Sequence, residues 1–562
     1  MNLNEVVKSD KYQVICFDIF NTLLVRPLFA SGDIYKLLGK KIGYENLYDA
    51  VSIAEKRLLS DDETGRAGFS SEMLYREIEK LFPKKFSAEK ALAAEEELYL
   101  NICTERRYVK KLYDAARRNG KEIAMVTDYP VSRRLLEKIL EKNGYTNYRD
   151  IYIAHETGAA KKDGTLFGLI AKEFSDVADS ASGIFYLTTV YDNDMKSAES
   201  VGMSARYIPS PIAALRKCRK LGELYNNLPA DSDNRYLIAY SANLVFDDPF
   251  VEYSDDGYLN GSIDNFGEFV FSPLVLAFEK WMLDDCERSG VTDLCYVYRD
   301  GYLPEKIHNV MAKYYGSVKT CRMYLTRALA NVFYSEENNG LNESLNKYLT
   351  GINMKRDVFI KNRLFAEEGS EDYSEAVRIF RQHGVFNADD IIRRDEYFKY
   401  AQEFEGIFKR GAQNRMDETR AYIDSIFSGR GKTAVFDVGY RGSACGILKN
   451  NFNIDTVGYH FFAKEMVKNI NVEGLDVRSP IIMGLSDEQK TTVIQVLTED
   501  LLNSQEPSVI GVKREDSEFV LLRDEHINFS EAVDAIQTSC VEYARGVVSL
   551  FGEDFKLMRF DV

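Results

Sequence analysis

The 562-residue chain has no paired cysteines. Its eight cysteines, Cys16, Cys103, Cys218, Cys286, Cys295, Cys321, Cys445 and Cys540, are scattered, and none forms a CxxC pair. That spacing argues against a zinc site and against a disulfide framework, and points to a reducing cytoplasm. The five histidines are equally dispersed and form no ligand cluster. No uninterrupted apolar stretch is long enough to cross a bilayer. The opening residues, Met1 to Lys11, are polar and charged, so no secretory signal is expected there. A basic excess is missing too: 72 Lys and Arg stand against 88 Asp and Glu, a net charge of −16. Neither nucleic acid nor an anionic membrane is therefore expected as the main partner.

What is present is the balance of a globular protein, with 45% hydrophobic and 28% charged residues. The length exceeds what one hydrophobic core supports, so two or three domains are expected. Val14-Ile15-Cys16-Phe17 is a short apolar run ending at Asp18, the signature of a buried strand with an acid at its C-terminal end. From about Ser31 to Arg118 the pattern is helical, with charges at i, i+4 spacing. Glu122 to Val126 reads as a second strand ending at Thr127-Asp128, followed by a helix from about Ser132 to Asn143. Ile151 to Ala154 and Phe185 to Leu187 read as two further strands. Strands alternating with helices imply a parallel sheet, whose chemistry sits beyond the carboxyl ends of its strands.

Four short motifs follow in order. They are Asp18-Ile19-Phe20-Asn21-Thr22, Thr127 at the second strand end, Lys161 in Thr157-Gly158-Ala159-Ala160-Lys161, and Asp192-Asn193-Asp194. Together they resemble the haloacid-dehalogenase (HAD) superfamily over roughly residues 10 to 210. The resemblance implies a Rossmann-like core with a helical cap, and phosphoryl transfer through a covalent aspartyl intermediate. Asp18 would attack phosphorus, Thr127 and Lys161 would hold phosphoryl oxygens, and Mg²⁺ would bridge Asp18 to Asp192 or Asp194. Three positions depart from the pattern. Phe20 stands where the phosphatases carry a general acid, although it matches the dehalogenase branch, whose leaving halide needs no proton. Thr188-Thr189 stands where the fourth motif begins Gly-Asp, and Asn21 stands where Asp is expected.

The second half has its own strand signals at Asp293 to Tyr298, Ala434 to Phe436 and Thr456 to Phe462. Arg299-Asp300-Gly301 follows the first of these, and Asp437-Val438-Gly439-Tyr440-Arg441-Gly442-Ser443 follows the second. Thr326-Arg327-Ala328 adds another arginine. Glycines admit close backbone approach, helix N-termini favour anions, and arginines clamp phosphate bidentately. Arg299, Asp300, Arg327, Asp437, Arg441 and Ser443 are therefore the candidate ligand residues of this half. Glu499 reads equally as a part of that site or as a solvated acid. These motifs also resemble those of long bacterial two-domain HAD hydrolases associated with cell-surface polysaccharide loci, which extends the resemblance to nearly the whole chain.

The sequence thus describes an α/β protein of two domains. Residues 1–228 form a HAD-like domain, with its core at about 1–26 and 119–210 and its helical cap at about 27–118. Residues 235–562 form a second α/β domain with a helical insertion at about 337–428, the break falling at the polar stretch Leu228 to Asn234. The expected function is a cytoplasmic phosphohydrolase, or a degenerate relative, acting on a phosphorylated small molecule such as a sugar phosphate. The alternative is an inactive HAD scaffold with glycosyl or phosphoribosyl transfer in the second domain. Oligomeric state is not legible.

Overall fold

The computed structural model describes residues 2–60, 67–254, 259–334, 353–439, 442–464, 474–483, 496–524 and 529–562. The chain divides into two compact units, Met1–Leu274 with Ser539–Asp561, and Val275–Thr538 with Val562.

The first unit is built on a five-stranded parallel sheet. Its strands are β1 (Val14–Asp18), β2 (Glu122–Thr127), β3 (Asp150–Ile153), β4 (Ile184–Thr188) and β5 (Ser204–Tyr207), in spatial order β3-β2-β1-β4-β5. β1 is central and every residue of it is buried, as an apolar run covered on both faces should be. β5 lies at the sheet edge, and its sequence Ser204-Ala205-Arg206-Tyr207 is too polar to announce a strand. Helix Arg133–Lys142 begins at a Ser132 N-cap whose hydroxyl accepts from the Leu135 amide. Between β1 and β2 the chain makes helices Asp33–Ile42, Leu47–Leu58, Ser71–Leu81, Ala88–Ile102 and Arg107–Arg118. A short antiparallel ladder, Leu24–Val25 against Thr104–Glu105, ties the start of this segment to its return.

The unit boundary differs from the sequence expectation. Leu228 to Asn234 connects two helices of the same unit. Tyr236, Leu237, Ala239, Ala242 and Val245 of helix Asn234–Val245 are buried, and Ala239, Ala242, Val245 and Phe246 cluster with Leu215, Cys218, Tyr225 and Phe269. The Tyr543 hydroxyl donates to the Leu237 carbonyl at 2.9 Å, so the chain terminus rejoins this core. A polar turn marked a connection there, and the apolar face that follows it placed the helix.

The second unit has another five-stranded parallel sheet. Its strands are β6 (Asp293–Tyr298), β7 (Lys319–Tyr324), β8 (Thr433–Phe436), β9 (Thr456–Tyr459) and β10 (Asp476–Arg478), in order β10-β9-β8-β6-β7. Residues 337–352 of the expected insertion lie outside the described residues. The rest of it carries helices at Arg356–Arg363, Glu371–Gln382 and Arg394–Phe427, with a short antiparallel ladder of Met354–Lys355 against Ile391–Ile392. Phe359, Phe380, Phe404, Phe408 and Ile423 join these helices to the sheet's core. The hairpin Val509–Glu515 with Glu518–Arg523 has no counterpart in the sequence reading. Among the described residues, no helix is long and apolar enough to cross a membrane.

Candidate functional site

In the first unit, Asp18, Thr127 and Thr188 are the last residues of three adjacent parallel strands. Lys161 arrives on the loop before helix Thr165–Glu173. That loop closes at Gly164, whose φ of +78° favours glycine and where a Cβ would lie a tight 3.3 Å from the Ser197 carbonyl. The Lys161 ammonium lies 2.5 Å from Asp18 Oδ1 and 2.9 Å from Asp194 Oδ2, with Asp128 Oδ1 at 3.7 Å. The Thr22 hydroxyl donates to Asp18 Oδ2 at 3.2 Å. Asp194 Oδ2 also accepts from the Tyr186 hydroxyl at 2.9 Å and the Thr188 hydroxyl at 3.1 Å. Thr127 is fully buried, and its hydroxyl oxygen accepts the Tyr129 amide at 3.1 Å.

Burial pushes the Asp18 carboxyl up to about 7; Lys161 acts against this, and the Asp194 and Asp128 carboxylates reinforce it. Lys161 is itself buried, which opposes its charge, but Asp128, Asp18, Tyr186 and Asp194 together hold it well above the ordinary lysine value. Asn21 takes the left-handed conformation, φ +65°, which an asparagine tolerates and which turns the chain out of β1.

The expected cation set does not assemble. Asp192 points to solvent, 76% exposed, and pairs with Lys196 at 2.6 Å. Asp194 belongs to Lys161, Tyr186 and Thr188 instead. Thr189 presents a hydroxyl, 3.5 Å from that of Thr22, where the resemblance calls for the main carboxylate ligand. No group of three His, Cys, Asp or Glu that could hold a metal occurs among the described residues. Mg²⁺ is held by one or two carboxylates with waters and substrate oxygens, and of the expected set only Asp18 and Asp194 converge, both on the Lys161 ammonium. The positive charge beside Asp18 is an ammonium.

Phe20, where the resemblance implies a general acid, is buried. Its ring packs 4.4 Å from Tyr129 and 5.8 Å from Tyr99, with the Arg26 guanidinium 4.3 Å away. Sequence reasoning passed over Arg26, for which only its position eight residues after Asp18 offered a signal.

In the second unit, Asp300, Arg327, Asp437 and His460 follow the C-terminal ends of β6, β7, β8 and β9, the four adjacent strands of one sheet edge. The Asp300 carboxyl is pushed up to about 8, first by burial and then by the Asp437 and Glu499 carboxylates, with Arg299 and Arg327 opposing. Four charged groups, Asp437, Glu499, Arg299 and Arg327, thus act on Asp300. The Arg299 carbonyl accepts the Ser504 amide at 3.1 Å, and its Nη1 reaches the Glu506 carbonyl at 3.4 Å. Gly301 is structural: a Cβ there would lie 2.6 Å from that of Tyr296. The Gly439 amide donates to Asp437 Oδ1 at 3.0 Å. Ser443 opens helix Ser443–Phe452, and Arg441 lies outside the described residues. His460, 1% exposed and depressed by burial, was not singled out in the sequence; neither its spacing nor a partner histidine marked it.

No protein-family model matches the chain, and no curated protein does. Solved structures with similarity include the Bacillus subtilis protein YfnB, assigned to the HAD hydrolases and bound to magnesium. It is 16% identical, covering 35% of this chain and 88% of its own, at a TM-score of 0.27. A HAD family enzyme from Bacteroides thetaiotaomicron is 15% identical over 35% of this chain and 94% of its own, at 0.28. A HAD phosphatase from Thermococcus onnurineus is 20% identical over 35% and 86%, at 0.25.

Proposed function

We propose that the first unit is a HAD-type phosphoryl-transfer site acting on a small phosphorylated molecule such as a sugar phosphate, with Asp18 as nucleophile. The observation that carries this reading is the 2.5 Å contact between Lys161 and the Asp18 carboxylate at the end of the central strand. Asp18 Oδ2, which accepts from the Thr22 hydroxyl, would attack phosphorus, forming the Asp18–phosphorus bond as the ester oxygen leaves. Lys161 and the Thr127 hydroxyl would meet the phosphoryl oxygens. With Phe20 in place of an acid, the leaving oxygen departs without a proton from that position, so slow turnover is expected. The test is phosphate release from sugar phosphates and p-nitrophenyl phosphate, with and without Mg²⁺, for wild type and Asp18→Asn. Release that vanishes in Asp18→Asn supports the reading, and equal release from both proteins defeats it.

A second reading has its own support. The action of Asp437, Glu499, Arg299 and Arg327 on Asp300, just beyond the C-terminal end of β6, favours a binding site in the second unit for a phosphorylated sugar or nucleotide. The first unit would then serve as scaffold, and glycosyl or phosphoribosyl transfer would belong to the second. Both readings are compatible with a cytoplasmic protein, and the chemistry of either fits the polysaccharide-locus resemblance.

A further inference from the structure

Among the described residues of the first unit two arginines are fully or nearly fully buried, and their surroundings differ. Arg106 uses all three guanidinium nitrogens. Nε donates to the Asp247 carbonyl at 3.2 Å, Nη1 to that of Asn21 at 3.2 Å, and Nη2 to those of Pro209 and Asp247 at 2.9 and 3.1 Å. That is how a structural arginine is satisfied. Arg26 is 3% exposed and donates once, from Nη2 to the Tyr129 hydroxyl at 2.9 Å. Its Nε and Nη1 are buried and meet no acceptor, and no carboxylate among the described residues pairs with it.

Aromatic rings surround this guanidinium. Its carbon lies 4.3 Å from the Phe20 centroid, 4.7 Å from Tyr129 and 5.9 Å from Tyr99. Ring faces attract the cation but give its in-plane N–H groups nothing to bind. A buried charge without a counter-ion is costly, and this one is kept. Its location gives a reason. Phe20 stands two residues after Asp18, and Tyr129 two residues after Thr127. Tyr99 comes from helix Ala88–Ile102 of the segment between β1 and β2, so both sides of the unit wall the guanidinium.

We propose that Arg26 binds a second anionic group of the substrate, a carboxylate or a further phosphate, while the reacting phosphoryl group meets Asp18 and Lys161. This rests on the phosphoryl reading of the first site. The Phe20 and Tyr129 rings hold the guanidinium carbon within 4.7 Å of their centroids, which leaves its unpartnered N–H groups to meet an oxyanion. Phe20 thus has a use at the position where it cannot act as an acid. The unpartnered nitrogens are sealed from solvent, so binding requires the surrounding rings to open.

The test is calorimetric titration of wild type, Arg26→Gln and Arg26→Lys with propyl phosphate, with 3-phosphooxypropionate, and with propane-1,3-diyl bisphosphate. Wild type should bind at least one of the doubly anionic ligands about ten-fold to a hundred-fold more tightly than propyl phosphate. The carboxylate and bisphosphate arms show which anion is read. Arg26→Gln should abolish the preference, and Arg26→Lys, which keeps the charge but not the fork, should retain part of it. No preference in wild type, or an undiminished one in Arg26→Gln, overturns the proposal. If no phosphate ester binds, the phosphoryl reading fails, and malonate titration decides Arg26 separately. Malonate binding that Arg26→Gln abolishes supports the anion site, and binding that is absent or unchanged removes it. Should Arg26→Gln not fold, the Arg26→Lys comparison applies the same criterion, and an unweakened preference there counts against the proposal.

Discussion

The Lys161 ammonium is held 2.5 Å from Asp18 and 2.9 Å from Asp194, so one buried cation is shared by two carboxylates. A buried ion pair is weak evidence for stability, because desolvation offsets much of the attraction. Its effect on reactivity is clearer. Lys161 is the largest influence keeping the Asp18 carboxyl from rising further under burial, and it still stands at about 7.

The pH dependence of phosphoryl transfer follows. On the proposed reading the nucleophile is the Asp18 carboxylate, so kcat/KM should rise with pH through about 7 and level off above it. Lys161→Met removes the opposing charge. The rising limb should move to higher pH, and the plateau rate should fall about a hundred-fold or more. A limb that stays in place would mean that another group controls the profile.

Phe20 makes a different prediction. With no proton donor at that position, the rate should depend steeply on how well the leaving group carries negative charge. Aryl phosphates with acidic phenols should turn over far faster than alkyl phosphates, with a difference of about 10²–10⁴-fold assigned to the missing acid. A series of substituted phenyl phosphates checks this. A flat dependence of log kcat/KM on leaving-group acidity would show that some other residue supplies the proton.

Glu95 supplies a test of stability. It is 4% exposed and accepts from the Ser71 hydroxyl at 3.0 Å and the Tyr75 hydroxyl at 2.8 Å. Burial pushes its pKa from 4.5 to about 7, and these two hydrogen bonds oppose the shift. A carboxyl raised on folding stabilises the protein fully below its unfolded value. That contribution is lost as pH climbs from 4.5 through about 7. Wild type should therefore lose a few kcal/mol between pH 5 and pH 8 from this group. Glu95→Gln should melt close to wild type at pH 5 and several degrees above it at pH 8, by scanning calorimetry. Parallel pH profiles for the two proteins would contradict the argument.

The parts of this molecule that the sequence announced are those with a one-dimensional cause. β1, β2 and β4 are apolar runs because both faces of a parallel sheet are covered, and Asp18 and Thr127 end two of them. The edge strands β5 and β7 carry exposed or half-buried polar residues at most positions, so no pattern betrayed them. Asp192 and Asp194 are two residues apart and looked equivalent. The helical turn Tyr191–Met195 sends one to solvent and buries the other against Lys161. Arg26 was illegible for the same reason: its isolation depends on which acceptors the fold leaves out of reach.

Asp300 carries the last prediction. Its pKa is lifted to about 8 by burial and by the Asp437 and Glu499 carboxylates, so at neutral pH it keeps its proton and adds no negative charge to the sheet edge. An anionic ligand held by Arg299 and Arg327 should consequently bind best below about 8 and weaken as Asp300 ionises. Uridine diphosphate glucose is a suitable probe, with affinity followed by calorimetry across pH. Asp437→Asn removes one of the charges raising Asp300, so the pH at which binding weakens should fall. Arg327→Gln removes an opposing charge, so that pH should rise, and affinity at pH 7 should drop about ten-fold or more. If both variants leave the midpoint where wild type has it, the carboxylates and arginines of this edge do not share a ligand, and the second unit's chemistry lies elsewhere.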